Sequence, residues 1–116
     1  MFPYAAAHVE RRGLVRRTAE WMQSYPLVLA PVEGWPTPRV DWDDFMSSEE
    51  MEDWFIHYRN VVWVNCLGLP AVALPNGVQV IARRFHDHEA LAAAEVLEGA
   101  LGECTPSDPT AQPSAG

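Results

Sequence analysis

A chain of 116 residues with 48% hydrophobic and 21% charged side chains has room for one domain around one modest core, and it is too apolar to stay disordered. Its formal net charge of −8 opposes a phosphate backbone, which argues against a nucleic-acid partner. No run reaches the roughly 20 apolar residues of a membrane span, and the opening MFPYAAAHVERRG lacks the basic leader of a signal peptide, so a cytoplasmic protein with no membrane partner is expected.

From Tyr4 to Ser24 the residues suit a helix, with Gly13 as its weak point. Leu14, Thr18, Trp21, Met22 and Tyr25 recur at steps of three and four and predict one apolar face, while Arg11, Arg12, Arg16, Arg17 and Glu20 fall mostly elsewhere. Next, Pro26-Leu27-Val28-Leu29-Ala30-Pro31 is apolar without alternation. That pattern predicts a strand buried on both faces, as in a central parallel position. Residues 32–46, with Gly34, Pro36 and Pro38, read as an irregular loop.

Ser47 followed by Glu50 is a capping-box pattern, in which hydroxyl and carboxylate satisfy free amides at a helix start. Met51, Trp54, Phe55, Tyr58, Val61, Val62 and Asn65 then share a face of one continuous helix, which Gly68 and Pro70 end. In GLPAVALPNGVQVIA (68–82) two β-prone runs flank Asn76-Gly77, the signature of a hairpin with a type I′ turn. A last helix is predicted with Asp87 as N-cap, Leu91, Ala94, Leu97 and Leu101 on its buried side, and Gly102 as its stop. Residues 1–102 thus make one partial domain. Residues 103–116, rich in Pro, Ser and Thr, read as a flexible tail. Cys66 and Cys104 stand far apart and outside any metal-type spacing, so two thiols in a reducing compartment are expected.

Three strands, two of them apolar on both faces, need more neighbours than this chain supplies. The pieces that carry this pattern resemble, in order, the C-terminal portion of the amidase signature enzymes, serine hydrolases that cleave carboxamides. YPLVLAP (25–31) is similar to the family's Tyr-Asp-hydrophobic-Thr-Pro strand, and NCLGLPAVALP (65–75) to its Asn-x-x-Gly-Leu-Pro-Ala strand entry. GVQVIA (77–82) resembles the strand that follows, HDHEALAAAEVLEGALG (86–102) the last helix, and TPSDP (105–109) a tail of one branch. The resemblance implies an α/β fold: the C-terminal fragment of an α/β/α sandwich, with about three helices packed on a three-strand piece of mixed sheet.

The family's chemistry uses a serine, a second serine on a cis peptide bond and a lysine. All eight basic residues here are arginine, and the adjacent pair Ser47-Ser48 sits in MSSEEME without a glycine to shape an oxyanion loop. No catalytic residue is therefore carried over, and a truncated chain inactive by itself is expected. The resemblance implies no cofactor, and a small amide substrate only when the N-terminal part is supplied. The hairpin is also shorter than in relatives, which leaves its register against the family open. By position, Phe55, Tyr58 and Val62 correspond to side chains that line the acyl pocket, although the same spacing suits plain core residues.

Other constellations read as structural. His86-Asp87-His88-Glu89 is expected to be an acidic helix start rather than a metal site, because neighbours in sequence seldom converge on one ion. Asp41, Asp43, Asp44, Glu49, Glu50, Glu52 and Asp53 lack the glycine and spacing of a calcium loop and read as a solvated face. His57 has no evident Ser or Asp partner for a triad. The alternative to an enzyme segment is a non-catalytic assembly element that complements another chain or self-associates through exposed strand edges.

Overall fold

The computed structural model describes residues 2–34, 41 and 43–102. Its elements are α1 (Pro3–Trp21), β1 (Leu27–Pro31), a short 3-10 turn (Asp43–Phe45), α2 (Ser48–His57), α3 (Arg59–Leu67), β2 (Ala71–Ala73), β3 (Val78–Ala82) and α4 (Asp87–Leu101). The class is α/β, as the sequence implies. The expected tail 103–116, with Cys104, and much of the 32–46 loop lie outside the described residues.

The sheet runs β1-β3-β2, and both pairings are antiparallel. Side chains alternate across a strand, so the pairs Leu29↔Val80 and Val72↔Val80 share one face while Gln79 and Ile81 point to the other. α4 covers the first face: Leu74, Val80 and Ala94 form its buried cluster, with Val72, Ala93 and Leu97 packed around them. On the second face the Gln79 amide donates to the Asn60 carbonyl of α3 and to the Pro31 carbonyl of β1, both at 3.3 Å. Helices therefore lie on both sides of the sheet.

β1 departs from its expected setting. It is an edge strand of this sheet, and Leu27 and Leu29 stand 40% and 59% exposed. The reason is the reach of α4, which packs across β3 and β2. β1's face beside it lies open. α1 shows the same shortfall, because only Met22, at its C-terminal cap, is buried, and Trp21 and Tyr25 stack on each other in the open at 5.3 Å.

The hairpin forms with a different turn. Pro75 sets φ near that of a type I turn, Gly77 rather than Asn76 takes the positive φ (77°), and the Gly77 amide donates to the Leu74 carbonyl at 3.1 Å. This is a three-residue loop closed by a left-handed glycine, not a type I′ pair. Gly68 is likewise left-handed (φ 66°), and the Leu69 and Gly68 amides return to the Val64 and Asn65 carbonyls in a Schellman pattern.

The predicted 47–68 helix is broken at Tyr58 (φ −87°, ψ 5°) into α2 and α3. The capping box at its start is formed: Ser47 Oγ accepts from the Glu50 amide at 3.2 Å, and the Glu50 carboxylate accepts from the Ser47 amide at 2.8 Å. At the break, the Gly34 amide donates to the His57 carbonyl at 3.1 Å. A Cβ on Gly34 would stand 3.4 Å from His57 Nδ1, an ordinary contact, so the tie between this segment and the helix is the hydrogen bond. The interruption is a tertiary contact that no residue of 47–68 announces.

α4 begins one residue earlier than predicted. His86 is its N-cap, without a side-chain cap bond, and Asp87 is the first helical residue. Its buried stripe is Ala90 and Ala94 with Leu97 beside them, whereas Leu91 and Leu101 are exposed. Among the described residues no helix is long and apolar enough to cross a membrane.

Candidate functional site

One concavity, an apolar groove of about 390 Å³, runs along α3. Arg59, Val62, Trp63, Cys66 and Leu67 line it from α3, at steps of three and four that bring them to one face. Phe55 of α2 and Leu14 of α1 complete the walls. α1 is held there by the Arg11 guanidinium, whose Nε donates at 2.6 Å to the Cys66 carbonyl. That carbonyl belongs to the last turn of α3, where acceptors lack helical partners and the helix dipole favours a cation.

Two of the three positions read from the sequence, Phe55 and Val62, lie in the groove, and Tyr58 does not line it. Tyr58 occupies the α2/α3 break and stacks on Trp54 with ring centroids 3.6 Å apart. Burial, and then the neighbouring Glu33 carboxylate, push its hydroxyl above the ordinary tyrosine range. The neutral phenol is favoured there, at the junction of the two helices. Arg59, Trp63 and Cys66 were missed by the sequence reading. The signal was available, since 55, 59, 62 and 66 follow one another at helical spacing.

The groove is also where Arg59 stands out. Its guanidinium has no ion pair or hydrogen bond among the described residues, and it sits at the α3 start beside apolar walls. Cys66 is a free, exposed thiol seven residues away on the same face.

The start of α4 brings together what the sequence reading kept apart. Donor atoms of His86, His88 and Glu89 lie within 4.8 Å of one another. Convergence of sequence neighbours is achieved here because the chain turns into the helix at His86. The Glu89 carboxylate, however, is engaged by the Arg83 guanidinium and accepts from His86 Nδ1 at 3.0 Å. Arg83 thus already supplies the positive charge that a metal would bring. Its hydrogen bond, ahead of that from His86, holds the Glu89 carboxyl below its usual range against the opposing effect of burial. A carboxyl depressed in the folded state contributes stability above its unfolded value, and that stability is lost as pH falls through the lowered value. Melting followed from about pH 5 downward is expected to show a loss that Glu89→Gln does not share.

No family model matches the sequence. Among characterised proteins, the chain is 34% identical over 105 residues to an indoleacetamide hydrolase of Bradyrhizobium japonicum, covering 83% of this chain and 22% of that enzyme. The match to the indoleacetamide hydrolase of Bradyrhizobium diazoefficiens is of the same size, with 20% of that enzyme covered. A fatty acid amide hydrolase of Medicago truncatula is 31% identical over 110 residues, 86% of this chain and 18% of the enzyme. The chain spans about a fifth of the length of these relatives. Ordered motifs, an α/β scaffold with helices on both sheet faces, and amide hydrolases as relatives agree: the homologues of this chain are amidase signature enzymes, and the chain is consistent with their C-terminal portion.

Proposed function

We propose that this chain is the part of an amide hydrolase that holds the apolar acyl group, and that the serine and lysine of the reaction are supplied from outside this sequence. The groove carries the reading. Phe55, Val62, Trp63 and Leu67 offer an apolar wall that suits an aromatic or alkyl acyl chain, and the relatives are named for the amides of indoleacetic and fatty acids. Phe55 and Val62 are its acyl-contacting residues, and Tyr58 acts by fixing the angle between α2 and α3. The sequence has no lysine, and Ser47 is committed to capping α2. A serine without a positioned base and oxyanion donors does not attack an amide. Binding of indole-3-acetamide at the groove without release of ammonia is the expected behaviour, read by amide-proton shifts and an ammonia assay on the same sample.

The outer edge of β1 favours a second element of the reading. Leu27 and Leu29 are exposed on a strand with one hydrogen-bonded neighbour strand among the described residues. Open edges of this kind recruit further strands, from the remainder of the sandwich or, in its absence, from a second copy of the chain. Cytoplasmic residence belongs to the same proposal and is supported by the acidic globular composition.

A further inference from the structure

We propose that the groove along α3 selects an amphipathic carboxylate, an organic acid with an apolar body, by pairing that carboxylate with Arg59. The inference rests on the groove as a place for apolar groups, taken from the preceding reading, and not on hydrolysis.

Apolar walls alone would accept any greasy molecule. Arg59 changes this, because its guanidinium lines the groove and forms no ion pair or hydrogen bond among the described residues. A planar guanidinium matches a carboxylate through two parallel hydrogen bonds. Apolar surroundings exclude water from one side of the pair and strengthen it relative to an exposed pair. The net charge of −8 works against anions in general, so a local cation is what makes this groove an exception. The second cation nearby, Arg11, reinforces it from the other end through its bond to the Cys66 carbonyl. Arg59 and Cys66 are seven residues apart on α3, about 10.5 Å along the axis. A ligand of that length can set its carboxylate at Arg59 and lay its apolar body over Val62, Trp63 and Leu14. In hydrolysis of an apolar amide the acid released has this chemistry, which makes the groove a place where such a product would linger.

The test is titration of the chain with 1-naphthaleneacetate and, separately, with the uncharged 1-naphthaleneacetamide, by calorimetry and by amide-proton shifts. The acid is expected to bind about five- to tenfold more tightly than the amide at low salt, with the preference reduced by added salt. Arg59→Gln is expected to remove the preference by weakening the acid's binding severalfold more than the amide's. Arg59 is exposed, so this variant should fold, and Arg12→Gln serves as a charge control on the far side of α1. Equal affinity for acid and amide, or a preference that survives Arg59→Gln, overturns the carboxylate proposal and leaves the acyl groove standing. Saturable binding of neither compound overturns both.

Discussion

Gln79→Glu lowers stability at pH 7 by about 4 kcal/mol, although it changes a single side-chain group at nearly constant volume. Gln79 is 4% exposed, and its amide NH₂ points at two carbonyl oxygens, Pro31 O on β1 and Asn60 O on α3. A carboxylate there would present an acceptor to two acceptors, with no cation among its bonded neighbours. Uncompensated buried charge of this kind costs several kcal/mol. The sign with pH follows. Burial and the facing carbonyls raise the introduced carboxyl's pKa in the folded state, so the variant keeps most of its stability below the unfolded value of about 4.3 and loses it as pH rises through the raised value. Urea unfolding from pH 4 to pH 8 (approximate limits, chosen around the carboxylate range) checks this, with wild type changing little over the upper part of that range. Gln79→Ala is expected to be destabilised at every pH in that range, because it loses the tie between sheet and α3 without adding a charge.

Ile81→Ala is expected to cost about 3 kcal/mol, within the range for deleting a large buried aliphatic group. Ile81 is fully buried, one of the three largest side chains in that state, with Met22 and Val80. It sits on the α3 face of the central strand, paired with Val28 on one side and Ala71 on the other. Few other large side chains are buried among the described residues, so little is at hand to collapse into the space left. For a protein whose total stability is of the usual 5–15 kcal/mol, the loss is a large fraction. Thermal unfolding by far-UV circular dichroism reads it. The exposed neighbour Leu29→Ala, with much less surface removed from water, should change the midpoint far less.

The parts of the fold that were legible in the sequence are those decided locally. The Ser47–Glu50 box, the Gly68 stop and the Asn76-Gly77 turn region are set by residues within four positions of one another, and each forms. What the sequence concealed depends on partners distant in the chain. The Gly34 contact breaks a helix whose own pattern runs unbroken through Tyr58. β1 is apolar enough for a central strand, yet its exposure is decided by where α4 ends its coverage. The turn type followed from Pro75, one residue outside the dipeptide that drew the type I′ reading.

The site followed the same division. Phe55 and Val62 were placed by family position and helical spacing, and they share the groove. Tyr58 was placed by the same spacing, and it stands at the break, stacked on Trp54. Arg59 stayed hidden because a charged residue is ordinarily assigned to the solvated face, whereas a guanidinium can lie along apolar surface and keep its head in water. Gln79 was visible only as a letter in a family-like motif. Its job, bonding β1 and α3 at once, is a property of the assembled layers.

The measurement that bears most directly on the central claim is ammonia release from indole-3-acetamide by this chain alone, with amide-proton shifts recorded on the same sample. The account predicts saturable shifts at Phe55, Val62, Trp63 and Cys66 and no ammonia above the uncatalysed rate. Ammonia released by the pure chain, or shifts confined to α4 with the groove unmoved, would contradict it.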